Sequence, residues 1–167
     1  MPVYNFGHYL LPEGGGQAPS PFPPGLRLSG PVVPVLIEIP SALTDRLQQT
    51  GQAIAAPVSG LALVDTGASV SAVDAGCVQQ LGVQPVGMVT VGTAGGSQQQ
   101  MLYPGRFSFP GTNLPSIDFS SLLGADLATQ GVPGPRGGPL VALLGRDLLE
   151  HFVLVYNGPQ GLFTLAY

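Results

Sequence analysis

Lysine and tryptophan are absent from the 167 residues, and cysteine occurs once. Charged side chains make up only 8% of the chain, nine acids against five arginines, for a net charge of -4. Each shortage closes a route. Without lysine there is no Walker-type phosphate loop, so Gly134-Pro135-Arg136-Gly137-Gly138 reads as a turn, and the acidic balance argues against nucleic acid as a partner. Cys77 has no second cysteine for an internal disulfide. Together with His8 and His151 it falls short of a closed zinc site, so neither a metal nor a cofactor is expected. No run reaches the roughly 18 apolar residues that cross a bilayer, and the N-terminus shows no signal-peptide pattern. The expectation is therefore no membrane partner and a cytoplasmic location.

What is abundant is apolar or turn-forming. With 44% hydrophobic residues, 25 glycines and 18 prolines, the composition predicts a β-rich globule whose uncharged surfaces suit peptide or partner contact. Residues 1–30 form a Gly/Pro-rich N-terminal arm bearing Tyr4, Phe6, Tyr9, Leu10, Leu11 and Phe22. It is either a flexible extension or an arm packed on the body or on a partner subunit. Residues 31–167 are the folded domain. Within it, Val32 to Ile39 predicts a first strand, with Pro34 marking an edge and Glu38 facing water. Ala53 to Ala56 and Leu61 to Val64 supply further strand, completing a hairpin. Asp74 caps a short helix from Ala75 to Leu81, closed by Gly82.

Met88 to Val91 and Gln98 to Tyr103 predict two strands around a glycine-rich tip, and Arg106 to Phe109 alternates as another strand. A short helix is expected near Phe119 to Thr129, then loop from Gly131 to Pro139. Leu140 to Leu144 is a buried strand, and Gly145 opens a helix to about Phe152 with Asp147 in its first turn, a structural place for an acid. Val153 to Tyr156 and Leu162 to Tyr167 predict a C-terminal hairpin.

The chemistry concentrates at Leu61-Ala62-Leu63-Val64-Asp65-Thr66-Gly67-Ala68-Ser69. An apolar strand delivers Asp65 at its end, where an unpartnered charge costs several kcal/mol, so something must use that carboxylate. Gly67 permits close backbone approach, while Thr66 and Ser69 can hold the turn by local hydrogen bonds. A serine hydrolase is a more remote reading: Gly67-Ala68-Ser69-Val70-Ser71 lacks the closing glycine of a nucleophile elbow, and no sequence signal ties His8 or His151 to a serine.

Asp65-Thr66-Gly67 followed by Ala68 resembles the catalytic loop of the retroviral-type aspartic proteases, the retropepsins. Ala142-Leu143-Leu144-Gly145-Arg146-Asp147-Leu148-Leu149 is similar to the second half of their signature. Val91-Gly92-Thr93-Ala94-Gly95-Gly96-Ser97 stands between the two, where that family has its flap. The similarity spans residues 31–152 and points to a single-domain cellular or bacterial relative. It implies an all-β fold: a small closed β-barrel-like acid-protease half with a flap hairpin and one or two short helices. It also implies an aspartic endopeptidase acting on peptide or protein substrates. Two carboxyls must share one proton, and this chain has one such loop, so the pair is one Asp65 from each subunit of a homodimer, with an optimum near about pH 4 to 6. In that scheme Thr66, Gly67 and Arg146 support the loop, and Ala68, Ser69, Gly92, Gly95 and Gly96 touch substrate. An acid often follows the alanine to pair with the arginine; here Ser69 stands there, so the brace must differ. The alternative is a noncatalytic peptide-binding or dimerisation domain of the same fold.

Overall fold

The computed structural model of the chain describes residues 2–7, 9–10, 20–93, 96–129 and 138–167. In order, its elements are β1 (Val3–Gly7), β2 (Tyr9–Leu10), β3 (Ser20–Pro21), α1 (Pro23–Ser29), β4 (Val32–Glu38) and α2 (Ser41–Gln49). Then come β5 (Val58–Val64), β6 (Ala72–Asp74), α3 (Ala75–Gln80), β7 (Gly87–Thr93), β8 (Gly96–Ser108) and β9 (Ile117–Ala125). Last are β10 (Leu140–Leu144), α4 (Arg146–Leu149), β11 (Val153–Asn157), a 3-10 turn at Gly158–Gln160, and β12 (Leu162–Ala166). The fold is mostly β. Among the described residues no helix is long and apolar enough to cross a membrane.

Seven strands form one mixed sheet in the order β4-β5-β10-β6-β9-β8-β7, and β4 also pairs with β8. Period-2 burial sets its inner face. Val33, Val35, Ile37 and Ile39 are buried on and just after β4; Tyr103, Phe107 and Phe109 are buried on and just after β8. Phe107, fully buried, contributes roughly 1.5–3 kcal/mol by leaving water. Pro34 pairs only with Leu61 of β5, because the β4–β8 ladder begins at Leu36, so its missing N–H breaks no bond on that side.

Glu38 is half-buried, and its carboxylate accepts from the Ser108 hydroxyl. Asp74 caps α3 by accepting from Cys77 N at 3.2 Å, as its position before the helix implies. Gly82 follows α3 with φ at 72°. The predicted C-terminal hairpin forms as β11 and β12, in antiparallel register from Val153↔Ala166 to Asn157↔Leu162.

Several expectations are corrected. The helix near Phe119 to Thr129 is instead the strand β9. Ladders to β8 and β6 take its backbone groups, and Gly124 lies so close to Tyr103 that a Cβ there would meet the ring at 2.5 Å. Ala53 to Ala56 is not strand; Pro57 interrupts, and β5 begins at Val58. Between β4 and β5 the chain forms α2, which starts after Pro40 and stops at Thr50-Gly51, with Gly51 at φ 66°. Counting α1, four helices stand among the described residues where the resemblance implied one or two. Arg106 to Ser108 is not a separate strand but the end of the 13-residue β8. The loop expected over 131–139 lies mostly outside the described residues.

The described parts of the arm are docked on their own chain. β1 pairs antiparallel with β12, Phe6 stacks on Phe163 with ring centroids 5.2 Å apart, and Asn113 N donates to the Tyr4 hydroxyl at 2.6 Å. Leu26 of α1 is buried in the core. Gly161, at φ 64°, meets α1 so closely that a Cβ would lie 2.4 Å from Pro23 Cα.

Candidate active site

β5 and β10 run parallel and end together, with Val64 opposite Leu144. Asp65 and Gly145 therefore leave the sheet side by side, and Asp65 N donates to Leu144 O at 3.0 Å. One carboxylate oxygen of Asp65, Oδ1, accepts from Gly67 N at 2.9 Å and from Ala68 N at 3.3 Å. Ala68 N is shared with the Asp65 carbonyl at 3.2 Å, closing the turn. Oδ2 accepts no hydrogen bond among the described residues, and Asp65 is half-buried. The glycine at 67 serves this approach: a Cβ there would lie 3.1 Å from Oδ1.

Four contacts from the β10–α4 junction hold the loop. Arg146 Nη1 donates to the carbonyls of Thr66 (2.8 Å) and Gly67 (3.0 Å), and Arg146 N donates to Ala68 O at 3.0 Å. Asp147 N reaches Ser69 O at 3.3 Å. The brace expected of Arg146 thus grips backbone carbonyls where an acid partner is lacking. Gly145 is the close-approach point, since a Cβ would fall 2.5 to 2.8 Å from backbone atoms of Val70 and Ser71.

Two side chains matter more than the pattern suggested. Ser71, fully buried, donates its hydroxyl to Asp147 Oδ1 at 2.7 Å and accepts from Gly145 N at 3.0 Å. Asp147 Oδ2 takes Ser71 N at 2.9 Å, while Oδ1 also takes Leu148 N at 2.8 Å. Asp147 therefore clamps the far end of the Asp65 loop as well as taking an N–H in the first turn of its own helix. A lone hydroxyl in the apolar stretch Val70 to Val73 was the available signal.

The other candidates sit apart. Gly92 and Gly96 lie near the end of the exposed β7–β8 hairpin, in the pairs Gly92↔Ser97 and Thr93↔Gly96. Gly95 lies outside the described residues, as does His8. Asp74 is buried, which raises its pKa, but N–H donors from Ala128, Leu127, Cys77 and Gly76 outweigh burial and lower it overall. Burial, then the Asp74 charge, pushes the Cys77 thiol up to about 11, so it stays protonated and is no nucleophile. His151 pairs with Glu150 at 3.7 Å, and both are exposed. Among the described residues no cluster of three His, Cys, Asp or Glu could hold a metal.

The arrangement offers one carboxylate with one oxygen oriented by two N–H groups and the other open to a ligand. Asp147 and Asp74 are occupied by their own donors, and neither is bonded to Asp65. No protein-family profile matches the chain, and no curated protein matches it.

Proposed function

We propose that the chain is a retropepsin-like aspartic endopeptidase that hydrolyses peptide bonds with two Asp65 carboxylates, one from each subunit of a homodimer. The observation that carries the reading is Asp65 itself. Its carboxylate stands at the shared end of two parallel strands, oriented on one side and open on the other, in a loop held at both ends by Arg146 and Asp147. One carboxylate takes a proton from the attacking water while the other, protonated, gives its proton to the substrate carbonyl; as the tetrahedral diol collapses, the first passes the proton it took to the leaving amine and the second regains one from the diol hydroxyl. The Thr66 hydroxyl is exposed and makes no hydrogen bond among the described residues of its own chain, which suits a lock to the partner's loop.

The ring of pairings from β4 through β5, β10, β6, β9 and β8 back to β4 supports a closed, barrel-like half, with β7 and β8 as the flap. For the dimer contact, β12 is already flanked by β1 and β11 of its own chain, leaving the outer edges of those strands. Neither strand carries a charge, and β11 exposes Val153, Val155 and Tyr156, the composition of an edge meant to be covered. We place the activity in the cytoplasm, where the single, buried Cys77 stays reduced.

Purified protein is expected to cleave a mixed peptide library at about pH 4 to 6 and to be blocked by a statine-type transition-state mimic, not by serine-directed reagents. Asp65→Asn, folded by circular dichroism, loses at least about 10³-fold in rate. Cleavage undiminished in that variant would overturn the reading, and peptide binding without cleavage by the native chain would leave a noncatalytic domain.

A further inference from the structure

Only part of the Arg146 guanidinium is used. Nη1 holds the carbonyls of Thr66 and Gly67, whereas Nη2 and Nε make no hydrogen bond among the described residues, and the side chain is exposed. Among the described residues no acid pairs with it. Ser69, next to the Ala68 whose carbonyl binds Arg146 N, offers an exposed hydroxyl and no charge. A guanidinium keeps its charge at every relevant pH and its fork of donors matches a carboxylate.

The position limits what can fill it. From Nη1 through Gly67 to Asp65 Oδ1, the bonds of 3.0 and 2.9 Å and one residue of chain span at most about 10 Å. An extended peptide advances about 3.3 to 3.6 Å per residue, so three residues cover that distance. The strand edges offered above for dimer contact contain no acid, so they bring no carboxylate to Arg146.

We propose that Arg146 determines specificity in the reaction assigned to Asp65, by receiving the carboxylate of a substrate aspartate or glutamate within three residues of the scissile bond. The preferred substrates are then acidic peptides. The inference rests on Asp65 as the catalytic acid.

Cleavage of a mixed peptide library by the full chain at about pH 5.5, read by mass spectrometry, is expected to show Asp and Glu favoured over Asn and Gln at one position within that reach. The preference is about threefold to fivefold, the range of an exposed ion pair. For a matched Glu and Gln peptide pair the advantage appears mainly in KM and fades as pH falls through about 4.3, where glutamate protonates. Ser69→Asp gives Arg146 an internal carboxylate and brings the Glu-to-Gln ratio near one. A ratio unchanged in Ser69→Asp overturns the proposal. So does Arg146→Gln protein whose dimer affinity falls while the ratio holds. Asp65-dependent cleavage indifferent to acidic residues overturns the proposal alone, and absence of Asp65-dependent cleavage overturns both readings.

Discussion

Asp147 carries three donors on two oxygens, so its loss is felt in the loop rather than at the reacting atoms. Asp147→Ala leaves the N–H and hydroxyl of Ser71 and the N–H of Leu148 without their partner, which costs about 2 kcal/mol of stability. Urea unfolding measures that loss. Asp147→Asn keeps an oxygen for Ser71 Oγ and Leu148 N but turns an amide toward Ser71 N, so its midpoint is expected between the native and alanine proteins. An alanine variant as stable as the native chain would show the clamp to be incidental. At this scale the sequence was legible where charge and apolarity collide. Asp65 ends an apolar run and demands a use. Ser71 gives a weaker signal, a hydroxyl in a short apolar stretch that fits exposed and buried settings alike; only the fold brings it to Asp147 across 76 positions of chain.

At the scale of elements, Asp74 ties three pieces together: the end of β6, the start of α3, and the chain after β9, where Leu127 N and Ala128 N donate to it at 2.9 and 2.8 Å. Its pKa in the folded protein lies below the ordinary 3.8, so the ionised carboxylate stabilises the fold above that value and the contribution is lost as pH falls through it and lower. Unfolding midpoints measured between pH 6 and pH 2 are expected to drop more steeply for the native protein than for Asp74→Asn. Parallel profiles would contradict this. The cap itself was readable from Asp74 standing before Ala75. The strand β9 was not: Ile117-Asp118-Phe119-Ser120 alternates, but Leu122-Leu123-Gly124-Ala125 fits a helix as well. Neighbouring ladders decided between them. For α2, the Leu43 and Leu47 spacing was a helical signal, but weak, since no residue of that helix is buried.

For the whole molecule, the β-rich class followed from composition and strand alternation, whereas the docking of β1 on β12 could not. It joins residues more than 150 positions apart, and nothing local in Val3 to Gly7 separates an arm bound at home from one bound elsewhere. β11 ends its sheet as an uncharged edge, so for the proposed dimer Val155→Lys is expected to weaken association at least about tenfold without unfolding the monomer, as sedimentation would show. Unchanged affinity would move the contact to another face.

The central claim is that each subunit lends one carboxylate, and mixing subunits tests it most directly. Native chain at a fixed concentration is equilibrated with increasing Asp65→Asn chain, and hydrolysis is followed. If the site is shared, mixed dimers are dead: at equal amounts about a quarter of the dimers are fully native, and activity falls toward zero as the variant is raised to excess. Activity that stays constant however much variant is added would mean that a single chain carries the whole reaction.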